Sequence, residues 1–358
     1  MRKNFTRWLF PVLFILQACS KDDVITAPVL QPAKGIYVLS EGGFGANNSK
    51  LAYRSVVSGV VAGDFFLQQN PGQTGGLGDL GNDMILYGSK LYIVMNGSSN
   101  VTVLNAASGT YITKIPFVNG TSDKSPRYAV GAKGKVFVTA YDNSVSVIDT
   151  TTLAITNTIT VGSNPEGIAT TGNYLYVANS GGLNYPAVDS TVSVIDLTTL
   201  TEIKKITVGK SPNKIAVNSA GNVYVSCFGI FGSVDPSVSV ISSTSNTLSS
   251  ILPAGFQYTH VRIYEDVAYF YNTYGDPKVG VYNTLTGILA RDNFITDGTS
   301  ITSTYGVNID EQNGDVYISD AKDYVSSGEV TCFDKTGRRK FSFSVAPGVN
   351  PNTVLFVR

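Results

Sequence analysis

Short apolar runs separated by Gly, Asn, Ser and Thr recur along almost the whole chain after residue 34, and one run returns nearly unchanged. Val145-Ser-Val-Ile-Asp149 reappears as Val192-Ser-Val-Ile-Asp196 and as Val238-Ser-Val-Ile-Ser242. Looser copies are Val101-Thr-Val-Leu-Asn105, Val279-Gly-Val-Tyr-Asn283 and Val330-Thr-Cys-Phe-Asp334. Ahead of each lies a second apolar run: Leu91-Tyr-Ile-Val94, Val136-Phe-Val-Thr139, Leu175-Tyr-Val-Ala178, Val223-Tyr-Val-Ser226, Val267-Ala-Tyr-Phe270 and Val316-Tyr-Ile-Ser319. Ile36-Tyr-Val-Leu39 with Leu51-Ala-Tyr53 supplies a seventh pair. The runs are β-branched and aromatic, too short for helices, and apolar on both faces, as strands packed between two neighbouring sheets must be.

Seven units at a spacing of about 40 to 48 residues predict the blades of an all-β, seven-bladed β-propeller. The ends argue for a closed ring over an open solenoid. Pro351-Asn-Thr-Val-Leu-Phe-Val-Arg358 matches the innermost strand of other units, such as Pro212-Asn-Lys-Ile-Ala-Val217, and the unit that begins at Gly35 has no such strand before it. The last strand is expected to complete blade 1, which removes two open sheet edges. Blade 1 is then 35 to about 67 with 350–358, and blade 2 is about 80–118. Blades 3, 4 and 5 are 125–162, 164–209 and 211–254, followed by blades 6 and 7 at about 257–296 and 300–348.

The first residues follow another pattern. Arg2, Lys3 and Arg7 precede a short apolar segment, Leu9 to Leu16, and then Leu16-Gln17-Ala18-Cys19, which resembles a bacterial lipobox. The apolar segment is shorter than the ~20 residues of a membrane span. Residues 1–18 are expected to be a signal peptide, with Cys19 the lipidated residue and 19–34 a tether. Residues 35–358 are the propeller. Ser20-Lys21-Asp22-Asp23 resembles the acidic surface-export signal of Bacteroidota lipoproteins, which implies an outer-membrane lipoprotein exposed on the cell surface.

Composition narrows the function class. Lys plus Arg and Asp plus Glu balance at 26 each, so no global field favours nucleic acid. Cys227 and Cys332 sit in strand runs two blades apart and are expected to be buried thiols. With a single histidine besides, they leave little with which to build a zinc or haem site, and no cofactor is expected. No nucleophile motif, phosphate loop or metal spacing is present, and the chain is expected not to be an enzyme.

Candidate binding residues lie where the second-to-third-strand loops and the blade-to-blade links emerge on one face. These loops vary and lengthen while the opposite turns stay short, and elaboration of one rim on a rigid scaffold marks a binding face. One polar residue per blade opens the innermost strand: Asn82, Arg127, Glu166, Asn213, His260, Thr304 and Asn352, with Thr259 an alternative to His260. They either hold a small polar ligand or cap turns and hydrate the channel. Phe44, Tyr141, Tyr185, Phe231, Tyr274 and Tyr324 stand in the long loops, as stacking platforms or as packing between loops. Asp142, Asp189, Asp235 and Asp276 recur at one place, with Ser98 and Ser327 there in two other blades. Recurrence in nearly every blade reads as turn capping, because a single active site is needed only once.

Tyr176-Val-Ala-Asn-Ser180, Thr191 to Asp196 and Val161-Gly-Ser-Asn-Pro165 resemble the repeat of the YncE-like propeller family. Gly35-Ile-Tyr-Val-Leu-Ser-Glu-Gly-Gly-Phe-Gly45, Leu77-Gly-Asp-Leu-Gly-Asn-Asp-Met84 and Ala178-Asn-Ser-Gly-Gly182 are similar to Bacteroidota surface lipoproteins of the DUF5074 type. That group includes BtuG-type proteins, so the resemblance implies capture of cobalamin or a similar nutrient for an outer-membrane transporter. A glycan- or protein-binding module is the alternative. Trp8 falls in the leader, so the mature chain lacks the tryptophan platforms that sugar binders often present.

Overall fold

A computed structural model describes residues 30–358. The expected signal peptide, Cys19 and most of the tether lie outside the described residues. The described chain forms seven four-stranded antiparallel sheets. Each sheet after the first is read off consecutive strands, as in blade 3: Pro126–Ala132, Lys135–Ala140, Ser144–Asp149 and Ile155–Thr160. Blade 1 instead takes its innermost strand from the end of the chain. Pro351–Val357 pairs antiparallel with Gly35–Ser40, Val354 opposite Val38 and Phe356 opposite Ile36. The innermost strands of successive blades pack on one another, and Pro351–Val357 lies between those of blades 7 and 2. This is the closed seven-bladed propeller expected from the repeats.

Alternation within one strand shows why the runs had to be apolar throughout. On the second strand of blade 3, Val136 and Val138 pack with Tyr92 and Val94 of blade 2. Phe137 between them packs with Leu175 and Val177 of blade 4. Both faces of each middle strand are therefore core, and each fully buried Val, Ile or Phe side chain contributes about 1.5–3 kcal/mol of transfer free energy. The outermost strands are wet. Thr247–Ile251 is exposed along its length, and Thr201–Thr207 carries Glu202, Lys204 and Lys205, charges that discourage edge pairing.

The residue ending each repeated third strand has a local task. Asp149 accepts from the Thr151 and Thr152 amides at 3.0 and 2.9 Å, and Asp196 does the same for Thr198 and Thr199 at 2.7 and 3.0 Å. Leu153 and Leu200 then take left-handed φ near 55° to reverse the chain. The recurring Asp at the other face is also structural. Asp189 accepts from the amides of Ser163 and Ser190 and from the Thr191 hydroxyl, and Asp142 accepts from the Ser144 hydroxyl at 2.5 Å. Cys227 and Cys332 are buried free thiols.

Two elements go beyond the repeat. A short helix, Phe65–Gln69, follows the two-residue outer strand of blade 1, Val61–Ala62, and drives Phe66 into the core between blades 1 and 2. A small hairpin, Val118–Asn119 with Ser122–Asp123, fills the link from blade 2 to blade 3.

Phe356, at the closing strand, packs edge-on against Tyr317 of blade 7 with ring centroids 5.0 Å apart. Phe356→Ala is expected to cost about 3 kcal/mol in urea unfolding, as for other large-to-small core changes. Val57→Ala, at a position 92% exposed in a blade 1 turn, should stay within about 0.5 kcal/mol.

Candidate functional site

The innermost strands enter the channel in a shared way that the sequence spells out. Leu80, Ser125, Asn164, Ser211 and Asn350 all adopt φ of 44–57°. Each is followed by Gly or Pro and then by one of the polar ring residues. A left-handed residue turns the chain sharply inward, and the proline that follows it in four of these blades fixes the next φ near −65°. Just beyond, strand pairing slips by a β-bulge at Gly81/Asp83, Pro126/Ala129, Pro165/Ile168, Pro212/Lys214 and Thr304/Gly306. A bulge places two residues against one partner and re-aims a side chain. Glycine one residue after Glu166 and two after Thr304 allows close approach: a Cβ at Gly167 would lie 2.4 Å from the Asn213 carbonyl oxygen, and one at Gly306 would lie 2.1 Å from that of Asn352.

The structure brings four of the seven ring residues into one chain of contacts. Asn352 donates to the carbonyls of Gly81 and Asn82 at 2.8 and 3.2 Å, and Asn82 donates to that of Arg127 at 2.5 Å. The Arg127 Nε then meets Glu166 Oε2 at 2.9 Å, with both side chains largely buried. Asn213 is buried beside them. His260 and Thr304 have partners outside this chain of contacts. His260 Nδ1 lies 2.9 Å from the Thr259 hydroxyl, its ring between Phe228 and Tyr271, and Thr304 donates to the Pro277 carbonyl at 2.6 Å. Burial, with the charges of Lys214 and Arg262, pushes His260 well below its ordinary value, so the ring is neutral at pH 7.

The freer chemistry belongs to neighbours of the ring. Lys214 of blade 5 reaches to blade 3, donating to the Tyr128 hydroxyl with its ammonium 3.6 Å from that ring's centroid. Glu41, from the blade 1 loop, accepts from the Tyr305 hydroxyl at 2.6 Å, and Asp83 accepts from the Ala129 amide at 3.0 Å. Burial raises both carboxyls above the usual range and lowers Lys214 to about 7. Arg262 stands on the innermost strand of blade 6, close enough for its charge to act on Asp83, Lys214 and Tyr271. These residues were missed because the sequence reading stopped at the first residue of each inner strand. The available signal was a charge inside an otherwise apolar inner run, as in Pro212-Asn-Lys-Ile and His260-Val-Arg-Ile.

The aromatic set divides. Phe44, Tyr185, Phe231 and Tyr274 are exposed by 91, 58, 95 and 73%. Tyr185 donates to the Phe231 carbonyl at 3.2 Å, joining the loops of blades 4 and 5. Tyr274 stacks on half-buried Tyr324 at 5.4 Å, joining blades 6 and 7. Tyr141 turns away from the rim into the channel, donating to Glu166, with the Arg127 guanidinium 4.8 Å from its ring centroid. Beside Tyr274 opens a cleft of about 230 Å³ lined by Gln257, Tyr258, Asn272, Asp276, Lys278 and Asp292.

Residues 34–326 match the family described as a domain of unknown function, DUF5074. The chain belongs to the DUF5074 family. Among curated proteins, none matches it. Solved structures similar to this DUF5074 chain include a quinonprotein alcohol dehydrogenase-like protein from Bacteroides thetaiotaomicron, at 15% identity and TM-score 0.63 over 90% of this chain and 78% of that one. Kuenenia stuttgartiensis hydrazine synthase is similar at 19% identity and TM-score 0.55, over 69% of this chain and 74% of that one. A dihydro-heme d1 dehydrogenase shares 10% identity at TM-score 0.57, over 91% and 76%. At such identities the likeness is one of fold.

Removing one partner of the Arg127–Glu166 pair leaves an uncompensated charge in the channel. Glu166→Gln is expected to destabilise by about 3 kcal/mol, and Glu166→Gln with Arg127→Met by clearly less. Additive losses in urea unfolding would show that the two side chains do not act as a pair. The lowered Lys214 makes a second prediction. Between pH 7 and about 10 the unfolded chain, whose lysine titrates near 10.4, holds more protons than the folded one, so stability due to this group rises with pH. Thermal unfolding of Lys214→Met across that range should lack this rise.

Proposed function

We propose that this DUF5074 propeller is a non-catalytic capture module, carried on the cell surface by a lipid on Cys19. Its loop face takes a broad, flat, amide-rich nutrient of the cobalamin kind and yields it to an outer-membrane transporter. The observation that carries this reading is the set of exposed aromatics on the loop face, Phe44, Tyr185, Phe231 and Tyr274, of which Tyr185 with Phe231 and Tyr274 with Tyr324 join neighbouring loops. Water gains nothing from these faces, whereas a flat ligand covers them.

Magnitudes support a shared role for rim and mouth. An aromatic side chain buries about 150–250 Å², so covering half of each ring contributes roughly 2–3 kcal/mol. Four rings then supply about 10 kcal/mol, of which association costs at least about 4. The remainder gives an affinity weaker than micromolar, for which about 8 kcal/mol is needed. Polar contacts at the mouth are required for the rest, and a ligand edged with amides matches Asn and backbone partners there. The mouth groups also engage one another, Glu166 with Arg127 and Glu41 with Tyr305, which favours holding a ligand over activating one.

The cleft beside Tyr274 favours a second reading, in which its carboxylates and amides bind glycan hydroxyls. Gel filtration of the full-length chain in detergent with cobalamin separates the two. The expected result is a protein peak carrying the vitamin's visible absorbance at micromolar concentration, weakened about tenfold or more in Phe231→Ser/Tyr274→Ser. A colourless protein peak overturns cobalamin capture, and retention on a polysaccharide gel would then favour the glycan.

A further inference from the structure

Charges in the channel mouth are matched in number but not in pairing. The carboxylates are Glu41, Asp83 and Glu166, and the cations are Arg127, Lys214 and Arg262. Each carboxylate is directed at something other than the last two cations. Glu166 meets Arg127 and Tyr141, Glu41 meets Tyr305, and Asp83 meets the Ala129 amide. No carboxylate among the described residues lies within ion-pair distance of Lys214, and Arg262 forms neither an ion pair nor a side-chain hydrogen bond there. The two stand on neighbouring inner strands, Pro212–Val217 and His260–Tyr264, which pack directly. Arg262 is exposed at the channel mouth and Lys214 is partly buried beside it, and these like charges repel, a cost that a bound anion relieves.

We propose that Lys214 and Arg262, with the Tyr128 hydroxyl, form an oxyanion site inside the channel mouth, one that takes a single sulfate-, phosphate- or carboxylate-type group. The donors suit it. A guanidinium offers a planar fork of N–H groups that matches two oxygens, and Lys214 adds a point charge. The Tyr128 oxygen already accepts from Lys214, leaving its own proton for an acceptor. This inference goes beyond the rim reading and stands without it, since the anion arrives either free or as the acidic end of a larger ligand.

Proton uptake follows from the same arrangement. Lys214 faces Asp83 of blade 2, Arg127 and Tyr128 of blade 3, Glu166 of blade 4, and His260 and Arg262 of blade 6. Glu41 and Tyr305 bound the cluster on the side of blades 1 and 7. Burial leaves the Lys214 amine half-charged near neutrality; Glu166 and Asp83 act to raise it, and the guanidiniums of Arg127 and Arg262 add smaller lowering effects. A bound anion restores the charge, so each anion brings up to one proton, and binding is tighter at pH 6 than at pH 9.

The test is calorimetric titration of the full-length chain with sodium sulfate in chloride-free buffer, because sulfate keeps its charge from pH 6 to 9. The expected result is millimolar binding at pH 6, weaker by roughly tenfold at pH 9, with proton uptake read at pH 8, above the Lys214 value of about 7, from buffers of different ionisation heat. Arg262→Gln, at an exposed side chain, and Lys214→Met should each weaken sulfate by about tenfold or more. Lys214→Met should also abolish the proton uptake, which loss of fold would not mimic if circular dichroism is unchanged. Phe231→Ser/Tyr274→Ser should bind sulfate like wild type, so cobalamin capture and the anion site fail independently. Absence of a binding heat in wild type at pH 6, or unchanged binding in Arg262→Gln, overturns the proposal.

Discussion

Everything in this molecule depends on the hydrogen-bonded pairing of Pro351–Val357 with Gly35–Ser40. A blade is apolar on both faces, so none is stable unless it has a neighbour on each side. In an open row, blades 1 and 7 would each leave one such face in water. The closing strand resolves this by joining blade 1 as its innermost member while its side chains Val354 and Phe356 pack with Val330 and Phe343 of blade 7. The same strand carries Asn352, whose amide is tied to Gly81 and Asn82 of blade 2. Ring closure and the geometry of the channel mouth are therefore one event.

The fold was legible because burial on both faces writes itself into composition. In Val145-Ser-Val-Ile-Asp149, Val145 and Val147 have to be apolar for blade 4 and Ile148 for blade 2, while the final Asp caps a turn. The apolar demands recur from blade to blade. The helix Phe65–Gln69 was not legible, since it occurs once and five residues leave no period to detect. The site was legible only in part. Pro-x motifs located Arg127, Glu166, Asn213 and Asn352 at the mouth, because a left-handed entry followed by proline is a backbone requirement. Where their side chains go is decided by other blades. Tyr141 belongs to a loop, yet Glu166 of the next blade draws it inward, and Lys214 spans to Tyr128 two blades away. Contacts across a ring leave no spacing in the sequence.

Rim and mouth use different physics, and the architecture keeps them apart. Rim aromatics are exposed and gain only when covered, with little orientation built in. The mouth is desolvated, so each unpaired charge there is strongly felt and each hydrogen bond is directional. On the proposed reading, the rim adsorbs a flat body and the mouth reads its polar substituents. The split is consistent with the loops: the aromatic-bearing segments vary in length from blade to blade, whereas five of the seven inward turns keep one left-handed backbone form.

A strand holds Lys214 and Arg262 where a loop would not. A guanidinium on a mobile loop would find Asp83 or Glu166 and neutralise itself. Arg262 and Lys214 are held on adjacent inner strands whose separation is set by ring closure, and Asp83 is fixed on the Ala129 amide of the next blade. Rigidity thus preserves an unpaired arrangement that a flexible segment would relax. Burial lowers the Lys214 ammonium to about 7, so the lysine, and neither arginine, is the mouth cation that titrates near neutrality.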